Sequence, residues 1–414
     1  MTKTKPYQII HIKLNKDHDL SLVIKPNQKY YLVFWWKTIP LGNLYINENG
    51  VEDLERTILK VIIPTLTYYG LKKTGNIEGL LSSKREHFFK QINSILTPFI
   101  NKKIPKKVDV SVVICTRNRS ESLKKCLNKL QNQTCQPSEV LVIDNAPFDN
   151  TTEKVVKQFS NVNYYIEPTP GLSFARNLGV KQAKNAIIAF TDDDVEVDKL
   201  WIFNIWDTFK NNNIDALTGL IIASSLETES QQIFEKYWGF NKGYQDIYFD
   251  KKYLTNSTEV PRIWELGAGA NMAFRKDIIC KLNYFDERLG AGASGCSEDS
   301  ELWFRMLLEN SKIQYNPRII VFHEHRSQIT QLKKQLFSYM KGHVVAALIH
   351  HSQNKTLGYK KYIFNLPKYY LLLFRLGFPN YRFRYKTLWA EFTGYFSGIK
   401  FYILNKNKPA ITKK

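Results

Sequence analysis

Strand and helix patterns alternate through the middle of this 414-residue chain, predicting an α/β protein with a mostly parallel sheet sandwiched by helices. Continuous apolar runs such as Val110 to Cys115 are the first sign, because strands buried on both faces do not alternate with polar residues. Helix-length segments between those runs are the second, and polar clusters at three successive strand ends are the third. A small β-rich region precedes this core and a helical extension follows it. Boundaries are expected at 1–105, 106–330 and 331–414.

From Tyr7 to about Asn47 the pattern alternates, with turn signals at Lys25-Pro26-Asn27 and Pro40-Leu41-Gly42, so a small antiparallel sheet is expected. Helical patterns follow over Glu52 to Thr67 and Lys84 to Leu96, and the basic stretch Lys102 to Lys107 reads as a linker. Strands are then predicted at Val110 to Cys115, Glu139 to Ile143, Val162 to Ile166 and Ala186 to Phe190. Helices are predicted between them over Arg119 to Asn132, Thr151 to Phe159 and Leu172 to Ala183. Open sheets bind ligands beyond the carboxyl ends of their strands. Thr116-Arg117-Asn118-Arg119, Asp144-Asn145 and Asp192-Asp193-Asp194 all fall at such ends.

The chain carries a net charge of +21 and a pI near 9.5, which implies attraction to nucleic acid, anionic lipid or phosphate-bearing substrates. Its five cysteines contain no C-x-x-C pair, and the N-terminus has no apolar signal core, so a reduced, cytoplasmic setting is expected. Tyr369 to Phe378 is interrupted by Arg375 and Gly377, which argues against a spanning helix. Between Ser352 and Lys414 thirteen Lys or Arg residues stand against the single acid Glu391, interleaved with aromatics. That composition suits a peripheral anchor on an anionic membrane surface; a solvated face and a nucleic-acid patch are the competing readings.

The acidic triplet is costly at a strand end unless a cation sits there, and a hard divalent ion is the natural one. The competing reading is the start of a helix from Val195 to Phe209, where Asp would cap the first turn. Further on, Glu298-Asp299 follows a glycine-rich run and can supply a general base, or merely cap a helix with Ser297. His323 ends the apolar run Ile319-Ile320-Val321-Phe322, where an imidazole can complete a metal site.

In order and spacing these pieces resemble glycosyltransferase family 2 from about Val108 to Arg326. The likeness rests on the strand to Cys115 with its Thr116 to Arg119 loop, on Val142-Ile143-Asp144-Asn145, and on Gly171-Leu172-Ser173-Phe174-Ala175-Arg176-Asn177. Phe190 to Asp194, Gly267 to Arg275, Ser297 to Leu302 and His323 complete it. The resemblance implies a GT-A fold with a Rossmann-like nucleotide half, a nucleotide-sugar donor, and inverting transfer to a lipid-linked or saccharide acceptor. It implies that Asp144 meets the base, Thr116, Arg117, Asn118 and Arg119 surround the nucleoside, and Arg176 lies near the ribose or phosphates. Asp192 or Asp193 would face the ribose, and Asp194 and His323 a Mn²⁺ or Mg²⁺ ion. Asp299 would be the base, with Glu298 and Trp303 on the acceptor side.

A sugar-nucleotide nucleotidyltransferase is the nearest rival, but the Thr116 to Arg119 loop lacks the glycine and lysine of a phosphate loop. A nucleic-acid-binding protein is suggested by charge alone, and the triplet would repel a phosphate backbone. No nucleic-acid partner is therefore expected.

Overall fold

The computed structural model describes residues 4–15, 24–72, 85–256 and 259–412. Strands β1 (Tyr7–Lys13), β2 (Lys29–Trp36) and β3 (Ile39–Ile46) form an N-terminal sheet. The β2–β3 pair is antiparallel, but β1 and β2 run parallel, so the expected antiparallel sheet is mixed. Residues 14–28 separate these strands, enough chain for the return crossing that parallel neighbours require. The turn expected at Pro40-Leu41-Gly42 lies inside β3, and the hairpin instead turns at Lys37, which has φ 54°. Pro40 is tolerated because β3 is an edge strand.

Helices α1 (Leu54–Tyr68) and α2 (Arg85–Ile100) cover one face of this sheet. Asp53 caps α1 by accepting from the Arg56 N–H. Ile58, Ile62, Ile92 and Leu96 pack with Leu32, Phe34 and Trp36, forming a core separate from that of the larger sheet.

The larger sheet has nine strands. Its first half runs β4 (Lys107–Thr116), α3 (Ser120–Gln131), β5 (Gln136–Asn145), α4 (Thr151–Val156), β6 (Val162–Glu167), α5 (Leu172–Gln182) and β7 (Ile187–Asp192). The order β7-β4-β5-β6 is parallel throughout, as the apolar runs predict. Successive residues point to opposite faces, so Val113 and Leu141 enter one core while Val112, Ile114 and Val142 enter the other.

The helix expected from Val195 starts only at Trp201. Val195–Val197 is a short strand, β8, followed by α6 (Trp201–Asn211). The triplet therefore opens a strand turn and caps no helix. Next come β9 (Ala216–Ala223), α7 (Glu229–Trp238), β10 (Ile247–Phe249), α8 (Lys251–Thr255), β11 (Asn271–Arg275), α9 (Lys276–Lys281), α10 (Glu298–Leu308) and β12 (Ile313–His323). β12 pairs with β9 and, antiparallel, with β8, placing His323 opposite Val195.

The extension comprises α11 (Ile329–Gln353), α12 (Tyr359–Gly377) and α13 (Leu388–Asn405). Among the described residues no helix is long and apolar enough to cross a membrane. The inner face of α11 carries two histidines, His350 buried and His343 half-buried. His350 stacks on Phe304 with ring centroids 4.0 Å apart, and the His343 Nε2 lies 2.9 Å from the Tyr362 hydroxyl.

Burial holds His343 down to about 4 and His350 well below the ordinary 6.5. The unfolded chain takes up these protons near its ordinary value while the folded chain refuses them, so protons favour unfolding. Stability present above about pH 6.5 should fall as pH drops towards 4. We expect His350→Leu to flatten the decline in melting temperature across that window, and an unchanged slope would refute this origin.

Candidate active site

Beyond the carboxyl ends of β4 and β7 opens a cavity of about 2010 Å³. Thr116, Arg117, Arg119, Arg176, Asp192, Asp193, Asp194, Glu298, Asp299 and His323 all line it. Residues from five separate stretches of sequence thus share one wall system. The far wall belongs to the extension, through His343 on α11 and Lys361, Tyr362, Asn365 and Tyr369 on α12. The volume exceeds the roughly 300–1,000 Å³ of an ordinary ligand pocket, leaving room for two substrates together.

The three aspartates have different partners. Asp193 is buried and ties the β4 loop down, accepting from the Thr116 hydroxyl at 2.6 Å and from Arg119 at 3.1 Å. Asp194 is held between Arg119 at 3.0 Å and Arg326 at 3.3 Å. Asp192 lies 3.5 Å from the Arg176 guanidinium. Burial pushes the Asp192 carboxyl up to about 7, with Arg176 pulling the other way and the adjacent carboxylates adding to the rise. Burial likewise raises Asp193 against the pull of Arg119.

Arg176, on α5, is 2% exposed. It ion-pairs with Glu298 and donates to the Gly269 carbonyl at 3.4 Å. Burial works against its charge, but Glu298 and Asp192 more than offset this and leave it firmly protonated. Gly269 has to be glycine, since a Cβ there would sit 2.6 Å from an Arg176 nitrogen. Gly292 has φ +90°, and a Cβ there would sit 3.1 Å from the Gly171 Cα; the Leu172 N–H donates to the Ala291 carbonyl at 2.9 Å, so the glycine-rich loop packs directly on the start of α5.

Glu298 and Asp299 open α10 but have separate fates. Glu298 is 5% exposed and given to Arg176, whereas Asp299 is half-buried and faces the cavity. Asp299 Oδ1 accepts from the Ser300 N–H at 2.6 Å, and Oδ2 has no partner among the described residues. Ser297 occupies the cap position at φ 72° but makes no side-chain cap, so capping does not account for this carboxylate pair.

His323 reaches the cavity beside Asp194, whose charge raises its pKa, but burial dominates and holds the imidazole down at about 4. A neutral imidazole and a carboxylate are fitting donors for a divalent ion. Among the described residues no three His, Cys, Asp or Glu side chains converge, so most of a cation's shell would have to come from substrate oxygens and water.

Three expected residues sit elsewhere. Trp303 is 0% exposed inside the apolar core and lines no part of the cavity, so its expected acceptor role is withdrawn: α10 turns that side inward. Asp144 is also 0% exposed, with its Oδ2 accepting from the Tyr164 hydroxyl at 2.8 Å. Asn118 takes φ 55°, and its side chain accepts from the Phe148 N–H at the outer rim. Sequence reading passed over Arg326, which pairs with Asp194, and Phe148, which is 83% exposed near Arg117. Arg326 stands three residues after His323, and that proximity was the available signal.

Residues 111–279 match the family model "Glycosyl transferase family 2". Glycosyltransferase AglE of Haloferax volcanii is 38% identical over 117 residues, covering 27% of this chain and 38% of the relative. Cholesterol galactosyltransferase of Borreliella burgdorferi is 28% identical over 112 residues, covering 26% and 31%. The chain thus spans about a third of the length of these curated relatives. Among solved structures, the mannosyltransferase PcManGT of Pyrobaculum calidifontis, in complex with GDP-Man and Mn²⁺, aligns over 79% of this chain and 86% of that one. It is 14% identical, with a TM-score of 0.44.

Removing Arg176 would strand Glu298 as a buried, unpaired carboxylate. Arg176→Met should lose ~3–5 kcal/mol in urea unfolding, whereas Arg176→Met with Glu298→Leu should recover most of it. A double variant as unstable as the single one would contradict this account.

Proposed function

We propose that the protein is an inverting glycosyltransferase that moves a sugar from a nucleoside diphosphate to an acceptor hydroxyl in cell-surface polysaccharide or glycolipid synthesis. The observation carrying this reading is the placement of Asp299 in the same cavity as the acidic triplet, with Arg176 joining the two sides. In this reading Thr116, Arg117 and Arg119 hold the nucleoside diphosphate, Asp192 or Asp193 approaches its ribose, and Arg176 offsets charge on the leaving group. Asp144 would meet the base only once the Tyr164 hydroxyl swings away. Asp194 and His323 would hold a Mn²⁺ or Mg²⁺ ion, which when bound supplies Lewis-acid stabilisation to the departing diphosphate.

Asp299 takes the proton of the attacking hydroxyl through Oδ2 as that oxygen bonds to the anomeric carbon and the nucleoside diphosphate leaves. One displacement inverts the centre. Retention by double displacement needs a second free carboxylate on the opposite side of the sugar, and Glu298, the nearest candidate, is occupied by Arg176.

The acceptor side supports a membrane-borne substrate. Of the seventeen large apolar side chains exposed among the described residues, eleven lie between positions 364 and 404. Leu371, Leu372, Leu376, Phe378 and Trp389 stand out at 49–72% exposure, with Lys368, Arg375 and Arg382 exposed among them. Apolar and aromatic groups ringed by cations fit an anionic bilayer surface. Five free cysteines favour its cytosolic side.

Two outcomes test the reading. Thermal melting against a panel of nucleoside diphosphates, with and without Mn²⁺, should rise for one nucleotide, and Asp299→Asn should keep that rise while losing ~10²- to 10⁴-fold in transfer. No rise with any nucleotide, or full turnover in Asp299→Asn, would overturn it. Leu372→Glu with Leu376→Glu should abolish co-sedimentation with anionic vesicles, and undiminished binding would remove the membrane assignment.

A further inference from the structure

The N-terminal sheet docks on α7. Tyr7 N–H donates to the Leu226 carbonyl at 3.1 Å, and Gln232 on α7 donates to the Lys5 carbonyl at 2.9 Å. From β3 the Tyr45 hydroxyl donates to Glu235 Oε1 at 3.1 Å, with its ring stacked on Tyr31 at 4.6 Å. The other oxygen of Glu235 lies 2.8 Å from His325 Nε2, and His325 Nδ1 lies 3.0 Å from His323 Nδ1. An unbroken chain of hydrogen-bonding groups therefore runs from the accessory domain to the cavity. The two imidazoles are also clamped by rings, Phe234 against His325 at 4.6 Å and Phe240 edge-on to His323 at 5.7 Å.

This chain has a direction. A carboxylate only accepts, so His325 Nε2 carries the hydrogen given to Glu235. Of the two directions open to the Nδ1–Nδ1 hydrogen bond, the one with His323 as donor leaves a lone pair on His323 Nε2. In that direction His323, which lines the cavity, keeps its Nε2 free to ligate.

We infer that Glu235 and His325, braced by Tyr45, are positioning residues that fix the His323 tautomer and hold its Nε2 ready to ligate a divalent cation. The inference rests on the cation site proposed above. It gives the N-terminal domain a part in the reaction: its Tyr45 supports, through two side chains, a group in the catalytic cavity. Outer partners of this kind tune metal affinity, and their loss typically weakens it ~10- to 100-fold.

Long-range ¹H–¹⁵N NMR of histidine-labelled, metal-free protein reads the tautomers directly. His323 should carry its proton on Nδ1 and His325 on Nε2. A proton on His323 Nε2 would overturn the relay whatever the metal does. Mn²⁺ binding is then titrated by electron paramagnetic resonance with saturating UDP and, separately, GDP. Glu235→Gln, which preserves shape, should weaken Mn²⁺ ~10- to 100-fold, and Tyr45→Phe ~2- to 10-fold. Metal-free nucleotide binding should be unchanged in both. Wild-type protein that takes up no Mn²⁺ would refute the cation site itself, and tight wild-type binding unaltered in both variants would refute only the relay.

Discussion

The buried guanidinium of Arg176 is the constraint on which the site depends. It sits on α5 in the first half of the sheet, yet its partners are Asp192 at the end of β7, the Gly269 carbonyl ahead of β11 and Glu298 at the start of α10. A charge 2% exposed is intolerable without opposite charge and hydrogen bonds around it, so these elements have to converge. Their convergence makes the cavity. Neither half of the chain closes it alone, and the glycines at 269 and 292 are the positions where a side chain would hold the halves apart.

The same logic separates two adjacent carboxylates. Glu298 and Asp299 differ in sequence by one position and one methylene, but the helix turns the first towards Arg176 and the second towards open cavity. Burial raises the Glu298 pKa while the neighbouring arginine pulls it down. The outcome is one carboxylate spent on architecture and one left with a free oxygen. Division of labour between like groups by environment is a general way to obtain distinct roles from the same chemistry.

Much of this was legible in sequence, for a physical reason. The parallel half was readable because strands buried on both faces must be continuously apolar, and because polar residues accumulate where those strands end. The N-terminal sheet was only half readable: alternation reveals strands but not whether β1 and β2 run parallel. Val195–Val197 was misread because three residues carry no period, and only pairing with β12 makes them a strand. Trp303 was misassigned because adjacency to Asp299 says nothing about which side of a helix turn faces the cavity. Partnerships across long sequence separations, such as Arg176 with Glu298 or Tyr45 with Glu235, leave no local trace.

That last class of contact bears on how a family core acquires additions. The family match ends at residue 279, yet Asp299, His323 and the far wall of the cavity lie beyond it. The helical extension closes the cavity with Tyr362 and Tyr369, and the same helix, α12, exposes Leu371, Leu372 and Leu376 one or two turns further on. A rise of about 1.5 Å per residue places the apolar patch within roughly 11 Å of Tyr369 along the helix. The N-terminal sheet reaches the opposite wall through Glu235. Each addition is thus anchored to a different side of the cavity, and the matched domain supplies the floor between them.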